Sequence, residues 1–164
     1  GWSFAKASFL QVFAMQCVLL ILVCLPAQLG QISEETTSIG VLGWIGIALA
    51  LTGIAFETIG DAQLTAFRGN AANAGKVLDT GLWRYTRHPN YFGDVCTWWG
   101  IWLVAAETTA GLYSIIGPLI LTFLLTRVSG VPMLEHRLKK NRPDYDAYLR
   151  RTSSFIPWPP RRDQ

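Results

Sequence analysis

Four long apolar stretches dominate the pattern of hydrophobic and polar positions along this chain. They are roughly Ala7–Gln28, Ile39–Ile59, Tyr91–Ala106 and Leu112–Val128. A helix that crosses a bilayer needs about 20 apolar residues, because each residue adds about 1.5 Å to its length. The first two stretches meet this requirement, whereas the third and fourth must tilt or include flanking residues. The pattern therefore predicts an all-α polytopic membrane helix bundle with about four transmembrane helices.

Basic residues are distributed along the chain in a way that supports four spans. The loops Leu29–Ser38 and Glu107–Gly111 contain no Lys or Arg, whereas every basic residue falls at Lys6, in the loop Arg68–Asn90 or from Arg127 onward. Four alternating spans place these basic regions on one side of the membrane, which the positive-inside rule identifies as cytoplasmic. We therefore expect a multi-pass protein of a bacterial inner membrane or the endoplasmic reticulum, with that loop and the C-terminus in the cytoplasm.

The composition agrees with one membrane-embedded domain. Of the 164 residues, 51% are hydrophobic and 15% are charged, whereas an average soluble domain carries about 25% charged residues. We assign residues 1–164 to a single domain, in which 129–164 form a cytoplasmic tail with two short amphipathic helices, Met133–Asn141 and Pro143–Arg151. The chain begins with Gly1 rather than Met, and we expect it to be the C-terminal portion of a longer protein.

Three charged residues, Glu57, Asp61 and Arg68, follow the second apolar stretch or end it. Separations of four and eleven residues place all three on nearly the same face of a helix. A carboxylate at bilayer depth costs about 2.5–3.5 kcal/mol, a cost usually tolerated for the sake of a partner or a function. The alternative interpretation is that both carboxylates lie just outside the hydrocarbon and are solvated.

The stretch Gly81–Asp94 is a dense polar cluster that ends at an apolar segment of membrane length. Pro89 disfavours helical geometry at His88 and suits the first turn of a helix, so the third span should begin near Pro89 or Asn90. The free N–H groups and the dipole of a helix N-terminus attract anions, and guanidinium groups bind phosphate bidentately. We therefore predict a site for a phosphate-bearing ligand, to which the following residues contribute: Arg84, Tyr85, Arg87, His88, Asn90 and Tyr91.

The same cluster has a second interpretation. Its arginines can bind anionic lipid headgroups instead of a soluble ligand, and Asp94 can simply complement the helix dipole. The residue types alone leave both interpretations open.

Several other kinds of site are not indicated. The sequence has no G-x-G-x-x-G after a strand, no phosphate-binding P-loop and no H-E-x-x-H motif. Its two histidines, His88 and His136, are too few for a multi-histidine metal site, and its three cysteines lack metal-ligand spacing. We expect membrane lipids among its partners and no nucleic acid.

The segment Gly81-Leu-Trp-Arg-Tyr-Thr-Arg-His-Pro-Asn-Tyr-Phe-Gly93 resembles the core motif of the steroid 5-alpha-reductase superfamily. It is most similar to the bacterial-type branch known as DUF1295. Three further segments, Phe56–Gln63, Val128–Pro132 with Leu134-Glu135, and Arg151–Pro157, also look like that branch. The resemblance therefore covers nearly the whole chain, in order.

This resemblance implies a multi-pass membrane reductase that holds NADPH in a cytoplasm-facing cavity between helices. It further implies hydride transfer to the β-carbon of an enone in a lipid or steroid-like substrate, followed by protonation at the α-carbon. Tyr91 is our candidate donor to the carbonyl oxygen, where negative charge develops. The positions that the resemblance assigns to cofactor binding are Glu57, Asp61, Arg68, Arg84, Tyr85, Arg87, His88, Asn90, Asp94 and Arg151.

Two departures from the family pattern bear on these expectations. In the steroid reductases proper, the groups that polarise the carbonyl come largely from helices that precede the region seen here. The family also often has Glu after the motif glycine, where this chain has Asp94. The proton donor and the substrate therefore stay open.

Two other classes of function are kept as alternatives. The isoprenylcysteine and phospholipid methyltransferases share an Arg-His-Pro-x-Tyr motif but use S-adenosylmethionine. They tend to carry a paired glutamate before the tail, where this chain has Glu135 followed by His136. The third class is a non-catalytic lipid-binding or scaffold protein that retains the fold.

Overall fold

The computed structural model describes residues 6, 9–32, 38–142 and 144–161, and over these ranges the chain forms helices and no β-strand. The α-helices are α1 (Met15–Val23), α2 (Leu25–Ile32), α3 (Val41–Gly69), α4 (Pro89–Ala105), α5 (Thr109–Leu112), α6 (Ile116–Phe123), α7 (Val131–Asn141) and α8 (Tyr145–Arg151). Two π-helical turns, Phe9–Ala14 and Leu124–Val128, and three 3-10 turns, Ala71–Asn73, Gly81–Arg84 and Tyr113–Ile115, connect them.

The predicted all-α membrane class is confirmed. Within the described residues, two helical runs, Val41–Gly69 and Thr109–Lys140, are long and apolar enough to cross a membrane. The pair α1 and α2 is bent by 50° and adds a third span if the two helices cross as one. Helix α4 has 17 residues, which is about the shortest length that spans a bilayer. Length and composition thus give two or three spans, with α4 at the limit.

The chain divides into two compact units, residues 1–47 with 98–121 and residues 48–97 with 122–164. In the first unit, small residues allow close contact between backbones. A Cβ added to Gly30 would lie 2.9 Å from the Cβ of Ala105, and one added to Gly117 would lie 2.8 Å from the Val23 carbonyl oxygen. The first unit also contains a carboxylate that caps α3, because Glu107 accepts hydrogen bonds from the amides of Gly40 and Gly43, each at 2.9 Å.

The second unit is built on the contact between the later part of α3 and the beginning of α4. A Cβ on Gly93 would lie 2.5 Å from the Gly53 carbonyl oxygen and 2.6 Å from the Glu57 amide nitrogen. The rings of Phe56 and Phe92 meet edge to face at a centroid distance of 5.2 Å. Only a glycine pair lets the two backbones approach so closely, and this approach brings Glu57 alongside α4.

The two predicted tail helices are present with shifted starts. Helix α7 covers the first, Met133–Asn141, from Val131 onward. Helix α8 begins at Tyr145 rather than at Pro143, which lies outside the described residues. Arg142 is extended, with φ −139° and ψ 110°, because the residue before a proline is disfavoured in helical geometry.

Candidate functional site

The Gly81–Asp94 stretch is fastened to α3 by three contacts within the second unit. The side-chain oxygen of Gln63 accepts a hydrogen bond from the Leu82 amide at 3.0 Å. The indole N–H of buried Trp83 donates to the Gly60 carbonyl oxygen, also at 3.0 Å. Gly81 has φ +59°, a conformation that favours glycine, and a Cβ there would meet the Gln63 amide. The motif is therefore a folded turn with a defined position.

Arg87 is the residue of this turn with the most long-range hydrogen bonds. Its Nε donates to Oε1 of Glu135 at 2.8 Å, and its Nη1 donates to the carbonyl oxygens of Leu149 and Thr152 at 3.0 and 2.6 Å. The Arg87 side chain is only 10% exposed and that of Glu135 is 20% exposed. One guanidinium thus joins the start of α4 to α7 and to the end of α8.

His88 shares the same carboxylate. Its Nε2 lies 3.1 Å from Oε1 of Glu135, and its ring stacks on that of Tyr91 at 5.4 Å with an interplanar angle of 3°. The residue is 1% exposed, and its Nδ1 is buried without a hydrogen-bond partner among the described residues. The anion that Arg87 and His88 meet at the start of α4 is therefore the Glu135 carboxylate.

Glu135 is the central residue that sequence reasoning missed. It was considered as part of a segment that resembles DUF1295 and as half of a glutamate pair that the methyltransferases carry, but not as a site residue. A local signal did exist, because Glu135 is the single acidic residue of a helix whose other titratable residues are histidine, arginine or lysine. Its partners lie 47 and 48 residues away, and this separation hid the association.

The C-terminal tail folds back along the motif. The hydroxyl of Thr86 donates to the Phe155 carbonyl oxygen at 2.8 Å, and the Arg87 amide donates to the Ser153 carbonyl oxygen at 2.9 Å. The Trp158 amide donates to the Tyr85 carbonyl oxygen at 3.0 Å. These bonds cover the turn before α4 with residues from the far end of the chain.

Two buried tyrosines of α8 complete the packing behind Trp83. The Tyr148 hydroxyl donates to the Trp83 carbonyl oxygen at 2.5 Å. Burial, and secondarily the neighbouring Tyr145, raises the pKa of Tyr148 above its ordinary value. Burial, and secondarily the Glu135 carboxylate, raises the pKa of Tyr145 to about 12. Both phenols therefore stay protonated at neutral pH, and Tyr148 acts there as a hydrogen-bond donor.

A pocket with a cavity volume of about 70 Å³ opens beside these tyrosines, and we call it the basic-rimmed pocket. Its volume is below the roughly 300–1,000 Å³ that is typical of small-molecule sites, so it encloses only part of a larger ligand. Four of its lining residues are cationic and none is acidic, while the rest are aliphatic or aromatic. The lining consists of Leu64, Phe67, Arg68, Lys76, Val77, Leu78, Trp83, Arg87, Leu134, Leu138, Arg142, Tyr145 and Tyr148.

Seven of the ten predicted cofactor residues are distributed over three places in the second unit. Arg68 and Arg87 line the basic-rimmed pocket. Arg84 and Arg151 line a different pocket, against the tail. The carboxylates form the third group, in which Asp94 and Asp61 lie close enough to Glu57 to repel its charge. The predicted stripe on α3 is thus present on one helix, but its two carboxylates group with Asp94.

The remaining predicted residues belong to the turn and to the first part of α4. Tyr85 is exposed, and Asn90 and Tyr91 are half-buried. Among the described residues, no group of three or more His, Cys, Asp or Glu side chains has a metal-binding arrangement.

The chain is similar to a known protein family and to a curated relative. Residues 1–152 match the family described as "Protein of unknown function (DUF1295)". The chain is 30% identical over 117 residues to the nickel-cobalt-cadmium resistance protein NccN of Alcaligenes xylosoxydans xylosoxydans. The alignment covers 70% of this chain and 52% of that relative, so the chain spans about half the length of the relative. No solved structure matches the chain.

Proposed function

Because the chain belongs to the DUF1295 family, the steroid 5-alpha-reductase-like group, we propose that it is an integral membrane reductase dependent on NADPH. In this proposal the protein saturates a carbon–carbon double bond in a steroid-like or other lipid enone. The observation that carries the proposal is the basic-rimmed pocket, whose lining combines aromatic walls with four cations and no carboxylate.

The basic residues of this pocket fit the phosphate groups of a dinucleotide that lies along its rim. Arginine forks bind phosphate oxygens bidentately, and lysine adds a compact charge. Arg68, Lys76 and Arg142 would serve the phosphates, because the Arg87 donors Nε and Nη1 are already bonded to protein acceptors. The aromatic side chains of Phe67 and Trp83 give a planar base an apolar surface.

The charge of the pocket favours this cofactor over S-adenosylmethionine. The latter carries a cationic sulfonium group, which Arg68, Lys76 and Arg142 would repel, whereas the charge of Arg87 is offset by Glu135. The methyltransferase therefore ranks below the reductase. A non-catalytic lipid-binding role predicts that neither cofactor binds.

Bound NADPH would supply the hydride to the β-carbon of the enone, and the α-carbon would then take a proton. This chain's contribution is to hold a donor near the carbonyl oxygen, where negative charge develops. Tyr91 is the candidate, since its half-buried ring stacks on His88, which Glu135 holds in turn. The side chain of Tyr91 is thereby oriented at the start of α4.

The test is a calorimetric titration of the full-length protein in detergent with NADPH, NADH and S-adenosylmethionine. We expect selective binding of NADPH. We expect the double variant Arg68→Gln/Arg142→Gln to bind it at least about tenfold more weakly, because each charge-assisted hydrogen bond contributes about 1.5–3 kcal/mol. The single variant Lys140→Gln, an exposed residue outside the pocket lining, is the control and should bind normally.

Two outcomes would contradict the proposal. Selective binding of S-adenosylmethionine would identify a methyltransferase, and binding of neither cofactor by a folded full-length protein would favour the scaffold role. Arg87→Ala is a poor test variant, because it removes contacts to α7 and α8 as well as a positive charge.

A further inference from the structure

A second cationic pocket lies between the 79–84 turn and the C-terminal tail, and we call it the tail pocket. Its lining includes three arginines, Arg84, Arg151 and Arg161, and one carboxylate, Asp79. Asp79 pairs with Arg151. Three positive charges less one negative charge leave the lining with a net charge of +2. None of these four residues lines the basic-rimmed pocket. The positive charge of the tail pocket is therefore not explained by the proposed cofactor site.

Hydrogen bonds of the main chain hold the tail pocket in shape. The Arg161 amide donates to the Arg151 carbonyl oxygen at 2.9 Å, and the Trp158 amide donates to the Tyr85 carbonyl oxygen at 3.0 Å. The two bonds fix both ends of the Pro159–Pro160 segment that lines the pocket. Thr80 adds a hydroxyl to the lining. The arginines therefore line a pocket whose backbone is held in place by hydrogen bonds.

Apolar side chains are exposed on the same tail. Trp158 is 69% exposed and Ile156 is 64% exposed. An adjoining pocket with a cavity volume of about 280 Å³ is lined by Trp158, by Arg150, Arg151 and Arg161, and by two serines. Exposed tryptophan beside clustered arginines is the combination that favours the interface between lipid headgroups and hydrocarbon.

We propose that the tail pocket binds the phosphate of an anionic phospholipid headgroup, with Trp158 and Ile156 entering the adjacent interface. Arg84 and Arg161 provide the charge-assisted hydrogen bonds to the phosphate, and the Asp79–Arg151 pair orders the floor between them. A lipid is preferred to a soluble phosphate because the exposed apolar side chains lie on the segment that borders the cations. This proposal does not depend on the reductase function.

Native mass spectrometry of the full-length protein in detergent tests the proposal. With phosphatidylglycerol and phosphatidylcholine offered in equal amounts, the unmodified protein should retain phosphatidylglycerol preferentially. The variant Arg84→Gln/Arg161→Gln should reduce that retention by about tenfold or more. The control Lys139→Gln/Lys140→Gln removes the same charge from exposed positions outside the tail pocket and should retain the lipid. The single variant Arg84→Gln should lie between the two.

Three results would overturn the proposal. Equal retention of the two lipids by the unmodified protein would show no headgroup selectivity. Displacement of the lipid by glycerol 3-phosphate at equimolar concentration would identify a soluble phosphate as the ligand. A loss of NADPH affinity in Arg84→Gln/Arg161→Gln would instead assign these arginines to the cofactor, as the sequence resemblance implies for Arg84, whereas unchanged NADPH affinity with lost lipid supports the tail pocket as a distinct site.

Discussion

Two carboxylates, Glu107 in the first unit and Glu135 in the second, each join segments that are far apart along the chain, but they bind different kinds of donor. Glu107 accepts from two backbone amides, those of Gly40 and Gly43, at the start of α3. Glu135 accepts from two side chains, the guanidinium of Arg87 and the imidazole of His88. The first arrangement completes a helix end, whereas the second collects ionisable groups in one buried place.

The difference has a thermodynamic consequence. The backbone amides that Glu107 binds are neutral. An amide at the N-terminus of a helix that loses its side-chain acceptor can still donate a hydrogen bond to water. The donors at Glu135 are ionic or ionisable and almost fully buried. Loss of that carboxylate leaves an uncompensated charge away from water, which is far more costly than a lost neutral hydrogen bond. Removal of the Glu135 carboxylate is therefore expected to lower the free energy of unfolding more than removal of the Glu107 carboxylate.

Glu135→Ala should have the largest effect on stability. Removal of one partner from a buried ion pair typically costs about 3–5 kcal/mol, and we expect about 3 kcal/mol because Glu135 retains 20% exposure. The measurement is the unfolding midpoint of the full-length protein in detergent. Glu135→Gln should lose less stability than Glu135→Ala, since the amide oxygen can still accept a hydrogen bond from Arg87. An unfolding midpoint for Glu135→Ala equal to that of the unmodified protein would remove the distinction between the two carboxylates.

The start of α4 shows how much of this fold was predictable from sequence. Pro89 constrains its own backbone and that of His88, and these local effects placed a helix start near Pro89 or Asn90. Helix α4 begins at Pro89, as predicted. The Glu57, Asp61 and Arg68 positions were likewise predicted to share a helix, and α3 contains all three.

Partners across the chain were not predictable in the same way. The sequence indicated an anion beside Arg87 and His88 but not that Glu135 supplies one, since helical spacing relates residues only within a few turns. Likewise, Asp79 and Arg151 pair across 72 residues, and only the return of the tail brings them together. Local constraints thus predicted the helices, whereas the pockets depend on contacts that no periodicity encodes.

Glu107→Ala should have a smaller effect than Glu135→Ala. Loss of a side-chain acceptor at a helix N-terminus costs about 0.5–2 kcal/mol, and here both amides, Gly40 and Gly43, lose their acceptor. We expect about 1–2 kcal/mol in the same unfolding measurement. Glu107→Gln should recover part of the loss, because one oxygen remains as an acceptor. A cost for Glu107→Ala as large as that for Glu135→Ala would reverse the ranking of the two regions.

Tyr148→Phe should have the smallest effect at neutral pH, and it extends the comparison to alkaline solution. The variant loses the hydrogen bond to the Trp83 carbonyl oxygen, which is worth about 1 kcal/mol. Burial raises the folded-state pKa of Tyr148 and Tyr145 above the ordinary value of about 10. As the pH rises above about 10, the unfolded chain therefore loses these protons first. The two protonated phenols stabilise the folded state fully below that pH. This contribution is lost as the pH rises through the folded-state pKa, which is about 12 for Tyr145.

The unmodified protein should accordingly lose stability above pH of about 10, by about 1.4 kcal/mol per pH unit for each buried phenol. Tyr148→Phe should lose stability less steeply, because one of the two phenols is gone. The measurement is the unfolding midpoint as a function of pH, together with the phenolate absorbance. Tyr113→Phe, in the first unit at an exposed position, is the matched control and should leave the alkaline slope unchanged. If Tyr148→Phe left the slope unchanged as well, the alkaline sensitivity would not arise from the buried tyrosines near Glu135, and the contrast between the two units would be limited to their carboxylates.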